Sequence, residues 1–126
     1  MRTYAANILF LLTGIALHAQ TPLPIPGTLT GPVIDLSLME GTTEFHAGEV
    51  VPTYGYNGGL LGPTVILERN EDVTLNVTNT LPDLTTTHWH GLHVSPMNDG
   101  GPHSLIYPNT TWSPSFTVLD RASTFW

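Results

Sequence analysis

The residues with the clearest chemical potential are histidines. The sequence holds six, and four of them, His88, His90, His93 and His103, fall within sixteen positions. In a β-strand, the element expected here, side chains two residues apart project from one face. Thr87-His88-Trp89-His90-Gly91 therefore presents two imidazoles side by side while Trp89 points into the opposite layer. The strand rise sets their Cβ atoms roughly 6.5 to 7 Å apart. Through different ring nitrogens such a pair can serve two neighbouring metal ions, and neutral imidazole suits copper, zinc, iron or nickel. An arbitrary His-x-His more often makes ordinary hydrogen bonds, so the surroundings have to decide.

The composition limits what can carry these rings. The chain has 126 residues, enough for one small domain, with 10 acidic against 3 basic residues and a formal charge of −7. Such a polyanion does not recruit nucleic-acid phosphates or anionic membranes. The absence of cysteine excludes disulfides, zinc-thiolate sites, thiol catalysis and a copper-thiolate centre built from this chain alone. Twelve glycines and eleven prolines are too many for a helical bundle and fit short strands joined by turns, so an all-β domain is expected.

Residues 1–19 carry Arg2, an apolar run from Ile8 to Leu17 and a small residue at Ala19. That order reads as a secretory signal peptide, and the run is too short to cross a bilayer. The mature product is expected to be exported, periplasmic or extracellular, with no membrane attachment after cleavage. Residues 20–32 form a proline-rich, extended lead-in. From Val33 to Met39, Ile34, Leu36 and Leu38 alternate with Asp35 and Ser37, the period of a half-buried strand. Asp72 to Asn79 repeats the pattern with Val73, Leu75 and Val77. Thr64 to Glu68, followed by the polar turn Arg69-Asn70-Glu71-Asp72, is expected to form a hairpin with that strand. Ser115 to Leu119 is a further strand, and Ser123 to Trp126 reads as a strand that has only begun. Together these predict a two-sheet sandwich with Greek-key connections, cut short at its C-terminal end.

Several motifs then fall in a recognisable order: Tyr56-Asn57-Gly58-Gly59, Gly62-Pro63-Thr64-Val65, Glu71 to Asn79, His88-Trp89-His90-Gly91-Leu92 and Asp99-Gly100-Gly101-Pro102. From Tyr54 onward the sequence resembles the first domain of multicopper oxidases, and HWHGL followed by DGGP is a specific combination. The resemblance implies an incomplete, cupredoxin-like (plastocyanin-like) β-sandwich over residues 33–126. It also implies copper as cofactor, with His88 on the type 2 copper and His90 on one of the type 3 pair. Asp99 matches an acidic position linked to proton delivery during oxygen reduction and is not a metal ligand.

In that family four His-x-His pairs from the first and last domains build the trinuclear cluster, and this chain contains one. The resemblance therefore implies partnership with the remaining cupredoxin domains of a longer parent chain. It implies a one-electron oxidation of a small reducing substrate or metal ion coupled to four-electron reduction of dioxygen to water. This chain alone is expected to be inactive. His93 and His103 are assigned structural or hydrogen-bonding roles, His46 a surface position before a turn, and Trp89 and Trp112 places in the core. The competing reading is a small exported copper-sequestering protein that uses the clustered histidines without redox turnover.

Overall fold

The structure is a computed structural model that describes residues 25–121. Its regular elements are strands: β1 (Thr28–Thr30), β2 (Val33–His46), β3 (Glu49–Tyr56), β4 (Thr64–Ile66), β5 (Asp72–Asn79), β6 (Thr111–Trp112) and β7 (Ser115–Thr117). β1 and β4 pair in parallel as a small sheet, with Leu29 opposite Val65. The larger sheet runs β3, β2, β5, β6, and β7 also pairs with β5. β2 and β5 are parallel, Ile34 against Leu75 and Leu36 against Val77, whereas β3, β6 and β7 join antiparallel.

The core follows from the alternation. Ile34, Leu36 and Leu38 of β2 and Val73, Leu75 and Val77 of β5 are all buried on one sheet face. Leu29 and Val65 from the small sheet close over that face, joined by Ile106, Trp89, Trp112 and Phe116. Burying each such aliphatic side chain is worth about 1.5 to 3 kcal/mol. The result is the expected all-β, cupredoxin-like sandwich. Trp89 and Trp112 are core residues as expected, stacked with ring centroids 6.1 Å apart and planes 11° from parallel.

Three expectations need correction. Thr64–Ile66 does not form a hairpin with β5, because both edges of β5 are taken by β2 and by β6 and β7. The chain instead crosses between sheets through Arg69–Glu71, and Val65 and Leu67 reach the core from the opposite layer. β2 continues well past Met39 to His46 and folds back as β3, a strand absent from the expected set. Pro52 is tolerated because β3 is an edge strand, where a missing donor costs no ladder bond. His46 closes β2 immediately before the Ala47-Gly48 reversal and is exposed. Within the lead-in, Thr28–Thr30 is already a strand. The expected signal peptide at 1–19 and the incipient strand at Ser123–Trp126 lie outside the described residues.

Candidate metal centre

Asn79, the last residue of β5, starts the construction of the site. It lies in phase with Val73, Leu75 and Val77 and is fully buried. Its Nδ2 donates to the carbonyls of Asp83 at 2.8 Å and Ile106 at 2.9 Å, and its Oδ1 accepts from Leu81 N at 2.9 Å. One amide thus fastens the loop after β5 to the segment around Ile106. Thr85 and Ile106 complete the connection with reciprocal backbone hydrogen bonds of 3.1 and 2.8 Å. The histidines come three and five residues later.

His88 and His90 occupy extended chain outside the named strands, which corrects their placement within a strand. Side-chain and loop contacts take the place of ladder bonds there. Thr86 Oγ1 receives Gly101 N at 2.8 Å and donates toward the carbonyls of Gly101 and Ser104. The Tyr56 hydroxyl meets Thr87 Oγ1 at 2.9 Å. Gly100, at φ 77°, lies so close that a Cβ added there would stand 1.8 Å from the Thr87 carbonyl oxygen. The Asp99-Gly100-Gly101 loop is therefore pressed directly onto the backbone that carries His88.

The alternation still holds without a strand. Thr87 is buried and Trp89 packs against the core, while His88 and His90 are exposed together on the other side. Their ring centroids are 5.8 Å apart with the planes 89° to each other. His88 Nδ1 lies 2.9 Å from the Asp99 carbonyl oxygen. A carbonyl can only accept, so Nδ1 carries the proton and Nε2 keeps its lone pair. No hydrogen bond to another described residue engages the His90 ring.

The Asp99 carboxylate faces the same imidazole. Its Oδ1 is 3.2 Å from His88 Nδ1 but is buried without a hydrogen-bond partner among the described residues. Buried carboxylate oxygens are normally satisfied, and one left open beside an imidazole has unused capacity for a proton or a water. Trp89 Nε1 is also buried and has no hydrogen-bond partner among the described residues.

Two neutral imidazoles, one with its tautomer fixed by a backbone carbonyl, are a donor set that fits a borderline-soft metal such as copper. Among the described residues, no group of three or more His, Cys, Asp or Glu side chains is gathered to hold an ion. A complete coordination sphere would need ligands beyond them.

The other histidines separate. His103 is exposed. His93 is held by Asp120, whose Oδ2 accepts from His93 N at 3.1 Å and whose Oδ1 pairs with the His93 Nδ1. These contacts hold the Asp120 carboxyl below the ordinary aspartate value of 3.8, the hydrogen bond from the His93 ring contributing most. Sequence reasoning missed Asn79, Tyr56, Gly100 and Asp120 as determinants of the site. Asn79 was detectable, since it continues the buried phase of β5.

The fold and the paired rings define a cupredoxin-like domain that carries a braced His-x-His pair on its surface. Residues 37–126 match the family model described as multicopper oxidase, and the chain belongs to that family, whose cofactor is copper. It is similar to the multicopper oxidase mco of Staphylococcus aureus, 42% identical over 91 residues, covering 72% of this chain and 20% of that protein. It is also similar to the cell division protein FtsP of Dickeya dadantii, 35% identical over 118 residues, covering 91% of this chain and 25% of the other.

Among solved structures, a laccase from Pediococcus acidilactici superposes with a TM-score of 0.78 at 34% identity, covering 85% of this chain and 25% of that one. The laccase-like multicopper oxidase CueO from Ochrobactrum sp. gives 0.74 at 39% identity, covering 78% and 23%. The chain thus spans about a fifth to a quarter of the length of these relatives.

Proposed function

We propose that residues 33–126 are the N-terminal cupredoxin-like domain of an exported multicopper oxidase, and that His88 and His90 supply its ligands to the type 2 copper and one type 3 copper. The observation that carries this reading is the pair itself: two rings 5.8 Å apart on one face, the first with Nδ1 bound to the Asp99 carbonyl. That bond leaves Nε2 as the donor atom of His88 and restricts rotation of its ring. Copper, when bound, supplies the one-electron steps by which dioxygen receives four electrons and becomes water.

Asp99 works in this scheme as a proton carrier. Its open Oδ1 would take up a proton and give it up on the histidine face, while its backbone carbonyl keeps His88 oriented. Electrons enter elsewhere in the protein, since a type 1 centre needs a cysteine and this chain has none. The partners are accordingly the remaining cupredoxin domains of the parent, dioxygen, and a small reducing substrate or metal ion. Export to the periplasm or the cell exterior follows from the reading of residues 1–19.

Full-length protein bearing His88→Ala or His90→Ala tests the assignment. The first substitution is expected to remove the type 2 signal in electron paramagnetic resonance, and the second to lower the copper content and abolish oxygen consumption. A full copper complement with unchanged oxygen uptake in both variants would overturn it.

A further inference from the structure

His93 and Asp120 form a contact that the copper reading does not use. The chain leaves His90 through Gly91 at φ 87° and makes two tight closures, Leu92 N to Trp89 O and Val94 N to Leu92 O, each 3.2 Å. None of these bonds reaches the sheet. Among the described residues, the turn therefore has no backbone ladder to hold it where it departs from the second imidazole. Asp120 provides the missing tether. One carboxylate oxygen accepts the His93 backbone N–H and the other accepts the ring Nδ1–H, so a single side chain fixes both the backbone and the ring of one residue.

The anchor behind Asp120 is firm. Two residues earlier, Val118 is buried and exchanges backbone hydrogen bonds with Asn70 and Glu71 at 2.8 and 2.9 Å, at the entry to β5. Farther along the same loop, Asn98 Nδ2 donates to the Ser115 carbonyl at 2.7 Å. The β7 segment thus grips the loop after His90 at two points. The imidazole of His93 is 84% exposed while the carboxylate that holds it is 10% exposed, so the ring gains little from packing and its defined interaction is with Asp120.

We propose that Asp120 and His93 are a positioning pair, a clasp that fixes the Gly91–Val94 turn to the β7 edge and thereby holds the imidazole of His90 in its place beside His88. The inference rests on the metal assignment of His88 and His90 made above. His93 itself is not a ligand in this scheme. Asp120 acts on the site through backbone position.

The clasp makes an atomic demand that substitutions can separate. Asparagine at 93 carries its amide nitrogen where the imidazole has Nδ1, so His93→Asn keeps a donor for Asp120, whereas His93→Ala does not. The test uses the full-length protein with His93→Ala, His93→Asn and Asp120→Ala, beside His88→Ala as reference. Amide hydrogen exchange in the copper-free protein reads the turn, and competition with a copper chelator reads retention of the metal.

Expected results are exchange at His93 and Val94 at least tenfold faster in His93→Ala and Asp120→Ala, with His93→Asn near wild type. Copper retention should fall about three- to tenfold in the two alanine variants, less than the 10- to 100-fold typical when a direct partner of a ligand is lost. Unchanged exchange in both alanine variants would overturn the clasp. Faster exchange with unchanged copper retention, while His88→Ala loses copper, would overturn its role in positioning His90. If His88→Ala also keeps its copper, the metal assignment fails first, and the positioning role falls with it.

Discussion

His88 Nδ1 and the backbone carbonyl of Asp99 lie 2.9 Å apart, so the residue whose carboxylate is cast as proton carrier also sets the tautomer of the first histidine. The two roles use different atoms of Asp99 and are separable. The copper-free protein is expected to show His88 as the Nδ1–H tautomer, readable from long-range nitrogen-15 correlations of the ring. Glutamine at 88 places a polar atom near the position of Nε2, and asparagine near that of Nδ1. His88→Asn is therefore expected to keep the bond to Asp99 and lose copper as fully as His88→Ala, with metal content as the measurement. Asp99→Asn should leave the tautomer unchanged and slow oxygen reduction. An Nε2–H tautomer would contradict the geometry.

Gly100 is the tightest point of the site. An alanine there must hold φ near 77°, a left-handed conformation that costs about 1 to 2 kcal/mol, and must also move its Cβ away from the Thr87 carbonyl. Gly100→Ala is expected to lower stability by at least about 2 kcal/mol and to displace the segment that carries His88. Denaturant unfolding measures the first effect and copper content the second. Gly101→Ala isolates backbone strain, since φ is 105° but a Cβ would meet nothing within 4 Å. It should retain copper better than Gly100→Ala.

The sequence made the sandwich legible where side-chain alternation is strong. Ile34, Leu36 and Leu38 and then Val73, Leu75 and Val77 mark one buried face in both central strands. It failed where partner choice decides. Thr64–Ile66 looks equally strand-like beside β5 or beside β1, and only the prior occupancy of both β5 edges selects β1. His88 and His90 were legible because spacing by two puts rings together in any extended chain, with or without a ladder. Their supports were not, since Tyr56 is 31 positions from Thr87 and Asp120 is 27 from His93. No local pattern encodes such contacts.

Asn79 is expected to be the most costly polar substitution in the domain. Asn79→Leu would fill the space but leave the carbonyls of Asp83 and Ile106 and the N–H of Leu81 without their present partner. Each buried group left unsatisfied costs about 1 to 3 kcal/mol, so a loss of at least about 3 kcal/mol is expected in denaturant unfolding. The exposed His103→Ala, by contrast, should stay within about 0.5 kcal/mol of wild type. A mild effect at Asn79 would mean that the loop from Leu81 to Thr85 finds other partners.

Asp120 gives the domain an acid-sensitive contact whose direction is fixed by its hydrogen bonds. Its carboxyl is held below the ordinary 3.8, chiefly by the His93 ring donor and then by the His93 backbone donor. A group whose acidity is greater folded than unfolded stabilises the fold above its unfolded value and loses that contribution as pH falls through the folded one. The clasp is therefore present above about pH 4, the unfolded aspartate range, and opens only below it. Neutral imidazole can donate from Nδ1, so the contact to Asp120 does not require a charged ring. Carbon-13 titration of the Asp120 carboxyl should give a midpoint below 3.8, moving upward in His93→Ala. The stability advantage of wild type over Asp120→Asn should shrink as the solution is acidified through that midpoint. A carboxyl that titrates at or above the ordinary value, or an advantage that grows in acid, would show that His93 does not hold Asp120 in solution.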